Sequence, residues 1–143
     1  MPLLVDVVTA ERSVLSDTAD MVVAPSVDGT VGILPHHARM IALLKPGELR
    51  LKRGPEEVAL AVSGGVLQVE SDHVTVLADA AERAEEVDVT RAREALERAR
   101  RHMAELKDHQ AQAAVQAAIE RATVRLRVAE RRRRTRPVPE TSP

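Results

Sequence analysis

The chain has no Phe, Tyr or Trp and no cysteine. Without aromatic rings it lacks the platforms on which unpaired bases stack, which argues against a reader of single-stranded RNA or DNA. Without thiols it has no disulfide, no thiolate zinc site and no cysteine nucleophile, a composition suited to a reducing compartment. No apolar run reaches the roughly 18 residues of a membrane-spanning helix. The segment from Met1 to Val8 is interrupted by Asp6 and followed by Glu11 and Arg12, so it lacks the basic start and apolar centre of a secretory signal. These absences predict a soluble cytoplasmic chain. Its core must be assembled from Val, Leu, Ile, Ala and Met within 143 residues, of which 44% are hydrophobic. That is enough for one domain, or one domain and an appendage.

A further scarcity divides the chain. Glycine is absent after Gly65, and between Val66 and Val138 the only proline is Pro137. Before that change Pro25, Gly29, Gly32, Pro35, Pro46, Gly47, Gly54, Pro55, Gly64 and Gly65 cut Val-rich sequence into short pieces; after about Ala80, Ala, Arg, Glu and Leu run on without a breaker. Frequent punctuation predicts strands and turns, and its absence predicts long helices. Charge divides in the same way. Residues 1 to 84 hold seven basic and twelve acidic side chains, a balance of −5, whereas residues 85 to 143 hold fourteen and ten, a balance of +4.

In the first half the spacing predicts strands at Leu3 to Val8, Met21 to Ala24, Thr30 to Leu34, Met40 to Leu44, Glu48 to Lys52, Val58 to Val62, Val66 to Glu70 and His73 to Leu77, an antiparallel sandwich or barrel. The last two form a hairpin about Ser71 and Asp72, and Pro46 with Gly47 suits a tight turn between two others. Catalytic chemistry is not indicated. Ser63 lacks the surroundings of a nucleophile elbow and reads as a turn serine. His36 and His37 would point to opposite faces of a strand, and His102 and His109 have no third ligand, so no metal site is expected.

In the second half Ala92, Ala95, Leu96, Ala99, Met103 and Leu106 cluster on one helical face. On a straight continuation Val115, Ala118, Ile119, Ala122, Leu126 and Ala129 would fall about 150° away, nearly on its back. A turn near Lys107 to Gln110 removes the mismatch and gives two antiparallel helices with facing stripes, although the lack of glycine there leaves a continuous helix open. Arg91 and Arg98 flank the first stripe, and Arg121 and Arg125 the second, at similar offsets. In an antiparallel pair those flanks lie on one side at the same level, where four guanidinium groups could bind phosphate. A second reading is that the arginines are neutralised along their own helices, since Glu94 with Arg98 and Glu97 with Arg101 are favourable i,i+4 pairs.

The segment SGGVLQVESDHVTVLADAAERAEEVD, from Ser63 to Asp88, resembles the epsilon subunit of F-type ATP synthases, as do DVVTAERSVLS from Asp6, GTVGILPHHA from Gly29 and PGELRL from Pro46. The likeness covers nearly all of residues 3 to 90 and continues more loosely through RAREALERA and ERATVRLRVAE. It implies an α+β chain: an N-terminal antiparallel β-sandwich over 1 to 84, a C-terminal antiparallel two-helix hairpin over 85 to 134, and a tail over 135 to 143 that composition marks as disordered. It also implies a non-catalytic rotor subunit on the cytoplasmic face of the cell membrane, attached only through its complex. Its sandwich would bind the gamma shaft and the ring of c subunits. Its hairpin would permit turnover when packed, and when extended into the alpha/beta head would block ATP hydrolysis.

No cofactor is required by this resemblance, but a regulatory ATP is possible. Some bacterial members bind it through I/L-D-x-x-R-A, which here reads Val87, Asp88, Val89, Thr90, Arg91, Ala92 and departs only at the first position. Carried over, the candidate ATP contacts are Glu82, Asp88, Arg91, Arg98, Arg121 and Arg125, and Asp88 also suits a helix N-cap. The loop facing the c ring corresponds to Ser26, Val27, Asp28, Gly29 and Thr30, with Thr30 where members often carry an acid. The run from Arg131 to Arg134, with Arg136, is more basic than is usual and should be drawn to acidic surfaces of the head. The alternative function is a nucleic-acid-binding adaptor that holds phosphates with its basic helices, against which the acidic first half and the missing aromatics both count.

Overall fold

The computed structural model describes residues 2–135. Eight strands come first: β1 Leu3–Val8, β2 Ser13–Ala19, β3 Met21–Ser26, β4 Gly29–Ile33, β5 Met40–Arg53, β6 Glu56–Glu70, β7 His73–Ala78 and β8 Ala81–Arg83. A 3-10 turn at Ala84–Glu86 leads to two helices, α1 Val89–Glu105 and α2 His109–Thr135. The strands are hydrogen-bonded in the order β2-β1-β7-β6-β5-β3-β4, with β8 also on β6. Every pairing is antiparallel except β1 with β7, which is parallel, so the sandwich is not antiparallel throughout.

The two layers are one sheet folded over. β7 occupies the edge of β6 along Gly65 to Glu70, and β8 the same edge along Leu60 to Val62. β5 and β6 therefore run through both layers. The expected tight turn at Pro46 and Gly47 is absent, and the two pairs of short strands expected there are two long ones. Their ladder runs from Met40↔Val69 to Arg53↔Glu56 and skips only Lys45 opposite Gly64. Two glycines make the fold line possible. At Gly65, where φ is +131°, a Cβ would overlap the carbonyl of Leu77. At Gly47 a Cβ would stand 2.6 Å from that of Pro25. Pro25 and Pro46 lie where the β3–β5 ladder is interrupted, a place that tolerates the missing N–H. In a long strand Pro and Gly thus bend the chain rather than reverse it.

Alternation fills the space between the layers. Leu3, Val5 and Val7 of β1 are fully buried while Leu4 faces out, and Leu49, Leu60, Leu67, Val69, Val74 and Val76 complete the centre. Each such side chain contributes about 1.5 to 3 kcal/mol. β2 carries no sustained alternation: Val14 and Leu15 are both buried, beside a register shift opposite Val7 and Val8, which is why a periodicity reading passes over it. The reversal about Ser71 and Asp72 is as expected, with both residues at positive φ.

Asp88 caps α1 by accepting the Arg91 backbone N–H at 3.1 Å. The reversal between the helices occupies residues 106 to 108, slightly earlier than Lys107 to Gln110. There the Asp108 carboxylate accepts the Gln110 N–H at 3.0 Å, and the Gln112 side chain donates to the Leu106 carbonyl at 2.7 Å. Polar side chains close this turn, which explains why it needs no glycine. Ala92 and Leu96 of α1 pack on Ile119, Ala122, Leu126 and Ala129 of α2, together with Val87 and Val89. A separate stripe of α2, Val124 and Val128, packs on Ala59, Ala61 and Ala84, which seats the hairpin on β6.

Candidate functional site

Because α2 touches the sheet along one stripe and α1 along another, a cleft remains on the seam between sandwich and hairpin. It measures about 530 Å³. Its walls come from five places: Thr9 to Arg12 between β1 and β2, Ala61 and Ser63 of β6, Asp79 to Glu82 where the chain crosses from β7 to β8, Ala95 of α1, and Ala118, Arg121, Ala122 and Arg125 of α2. Alanines keep the helical wall open, and the charged side chains project into the space they leave. Ser63, expected in a turn, lies within β6 at the fold line and lines this cleft.

Of the six candidate ATP contacts, three line the cleft: Glu82, Arg121 and Arg125. Arg125 donates through Nε and a terminal nitrogen to both carboxylate oxygens of Glu82, and this pair ties α2 to β8. The other three lie outside the lining. Asp88 is engaged as the cap of α1 and stands 3.7 Å from the Arg91 guanidinium, whose side chain is 86% exposed. Arg98 is exposed on α1. Of the four guanidinium groups expected to converge, two line the cleft and two, Arg91 and Arg98, stand exposed on α1 outside its lining. Neither Glu94 nor Glu97 forms a carboxylate ion pair with the arginine a turn later; Arg101 donates instead to the Glu97 carbonyl at 3.4 Å.

Arg12 is a lining residue that the helical pattern could not reveal. It reaches Glu86 in the 3-10 turn at 3.2 Å, while Arg83 lies 3.9 Å from the same carboxylate. Its local frame is an ST turn, with the Thr9 hydroxyl accepting the N–H of Arg12. Only tertiary structure brings this turn to the hinge. The segment from Ser26 to Thr30 is a tight hairpin, with Ser26 and Gly29 already paired in β3 and β4. The Ser26 hydroxyl donates to the Gly29 carbonyl at 2.6 Å and accepts the Asp28 N–H, leaving Val27 and Asp28 exposed at the tip.

Two carboxylates are displaced from their ordinary acidity. Hydrogen bonds from Ser16 and from His73, whose Nε2 is 2.6 Å away, hold Asp6 below the usual range. Burial pushes Glu48 up, against the opposing pull of Arg131 and Arg50. On the outer face of the layer containing Asp6, Leu4, Ile41, Leu43 and Leu77 are exposed, Ile41 by 72%. The row Leu43↔Val66↔Leu77 runs straight across three strands. Of the basic run beyond Glu130, only the Arg131 side chain is described, and nearly all of the expected tail lies outside the described residues.

The fold and its seam define a class: a strand sandwich with a helical hairpin folded back over a charged cleft. Two family models divide the chain at the same place, the "ATP synthase, Delta/Epsilon chain, beta-sandwich domain" over residues 2–84 and the "ATP synthase, Delta/Epsilon chain, long alpha-helix domain" over 85–130. The chain belongs to the delta/epsilon chain family of ATP synthases. It is 53% identical over 133 residues to an ATP synthase epsilon chain of Dehalococcoides mccartyi, covering 92% of this chain and 95% of that one. A counterpart from Herpetosiphon aurantiacus is 47% identical, with 93% and 98% covered. Among solved structures, a chain of the Euglena gracilis mitochondrial ATP synthase OSCP/F1/c-ring assembly has a TM-score of 0.73 at 21% identity, with 83% of this chain and 76% of that one covered. A chain of the Tetrahymena thermophila central stalk and c-ring scores 0.61 at 13% identity, covering 90% and 97%. These two likenesses concern the fold. No helix among the described residues is long and apolar enough to cross a membrane.

Proposed function

We propose that this epsilon-type chain is a non-catalytic subunit of the central stalk, at the cytoplasmic face of the membrane, whose sandwich binds gamma and the c ring and whose hairpin regulates ATP hydrolysis. The apolar outer face at Ile41, Leu43, Val66 and Leu77 supports the first part, since monomeric chains seldom expose a contiguous apolar patch without a partner for it. Relatives come from ATP synthases, and the solved assemblies contain a central stalk and c-ring.

The observation that carries the regulatory part is the position of the cleft. Side chains of sandwich and hairpin line it together, so a ligand held there binds the docked form better than the extended one and shifts the population toward docking. ATP fits the chemistry: Arg121 and Arg125 would meet phosphates, with Arg12 on the opposite wall. Glu82 already occupies Arg125, so an entering phosphate must displace it, which favours modest affinity over tight binding. Asp88, Arg91 and Arg98 would reach such a ligand only at the rim.

Adding the purified chain to a catalytic head that lacks this subunit tests the whole reading, with gamma binding and a fall in ATP hydrolysis as the expected results. Absence of binding would sink it. Calorimetry tests the ATP site separately. Arg121→Ala with Arg125→Ala should weaken ATP binding more than tenfold, roughly the loss of two charged hydrogen-bonding partners. Arg91→Ala should have the smaller effect, and equal affinity in all three proteins would remove the cleft as the site.

A further inference from the structure

Near the end of α2, on the side away from Glu82, a second set of charges joins the hairpin to the sandwich. Arg131 donates through a terminal nitrogen to Glu57 of β6 at 2.7 Å, and stands 3.0 Å from Glu48 of β5 by the same nitrogen. Its Nε lies 3.2 Å from Glu48. Arg50 pairs with Glu48 from the other side at 3.3 Å, so two arginines and two glutamates balance in charge. All four side chains are about two-thirds covered or more, Glu48 the most. Position on the helix explains the reach: Val124, Val128 and Arg131 are spaced i, i+4, i+7, one stripe whose first two members are buried against β6.

We infer that Arg131, Glu48 and Glu57 form a latch that holds the hairpin docked whether or not the cleft is occupied. This rests on the reading that the hairpin leaves the sandwich, and it adds a second point of control. The cleft and the latch lie on opposite sides of α2, so a ligand at one makes no contact with the other. The latch is also the first link of the basic run. An arginine that serves acidic side chains of its own sandwich in the docked form is unavailable to any acidic partner, and extension requires it to exchange one carboxylate set for another. Partial burial makes the exchange selective: covered charge-assisted bonds resist salt better than exposed ones.

The full chain can be tested directly because it has no native cysteine. Nitroxide labels on Ser16→Cys of β2 and Ala113→Cys of α2, both at exposed positions, report the docked fraction as a distance distribution without nucleotide. Arg131→Gln should raise the undocked fraction about fivefold to tenfold, as expected for loss of a partly covered charged pair. Glu57→Arg should do the same, and Arg131→Glu combined with Glu57→Arg should recover docking. An unchanged docked fraction in Arg131→Gln, with circular dichroism showing the sandwich intact, overturns the latch. Failure of recovery in the double variant, when both single variants undock, overturns the direct pairing. Repeating the series with ATP separates the two readings: if ATP has no effect on any variant the cleft proposal fails, while the nucleotide-free arm still decides the latch.

Discussion

Sandwich and hairpin are held together by different means. In the sandwich, large aliphatic side chains such as Leu3, Ile33, Leu49, Leu60 and Leu67 are fully buried between layers that share two continuous strands. Among the described residues of the hairpin only Ala92 and Val128 are so completely covered, and its distal half, from about Met103 to Ile119, is at most partly buried. Small contacts plus ion pairs give an attachment worth a few kcal/mol, since one or two buried valines supply only about 1.5 to 3 kcal/mol each. One part is held by a large aliphatic core, the other by small contacts and ion pairs.

The largest expected effect is in the sandwich. Leu49→Ala should cost about 3 kcal/mol in chemical denaturation, because it leaves a cavity at a fully buried site. A loss under about 1 kcal/mol would mean that the two layers are not one cooperative unit. Next comes the docking stripe. Val128→Ala should cost about 2 kcal/mol of docking, seen as faster hydrogen exchange along α2, while the sandwich melts as before. If the sandwich loses stability equally, the contrast drawn between the two parts is wrong. Asp88→Ala should cost about 1 kcal/mol and fray the first turn of α1, read as faster exchange at Arg91 and Ala92.

The smallest effects have opposite signs at two carboxylates. Asp6 is held below its ordinary pKa, so its contribution to the sandwich is present at neutral pH and fades as pH falls through its lowered value. Glu48 is raised by burial, against the pull of Arg131 and Arg50, so its contribution to the folded chain is present in acid and fades as pH rises past its raised value. In chemical denaturation, Glu48→Gln should remove part of the loss of stability as pH rises above about 4, and Asp6→Asn part of the loss as pH falls below it. Identical profiles in both variants would show that the two titrations are coupled.

Much of this contrast was legible in residue order. The loss of Gly and Pro marks where strands give way to helices, and the jump in apolar phase between Leu106 and Val115 requires the turn that Asp108 and Gln112 close. The fold line was not legible. Pro46 next to Gly47 has the composition of a turn, and only the pairing of both flanking segments with β6 shows a bend. The cleft was half legible, since helical phase places Arg121 and Arg125 on the flank that meets the sheet but cannot tell that Arg91 and Arg98 stay outside the lining. Arg12 and the partners of Arg131 come from strands distant in sequence, and periodicity within one helix carries no information about them.

The ribbon of β5 and β6 has a mechanical meaning as well. Its thirteen matched positions belong to both layers, so a load applied to the apolar outer face travels into the layer beneath the hairpin through covalent backbone. A pull along the ribbon strains these rungs together in shear rather than peeling them singly. That continuity makes the sandwich stiff along the ribbon, whereas the hairpin rests on it through side chains alone.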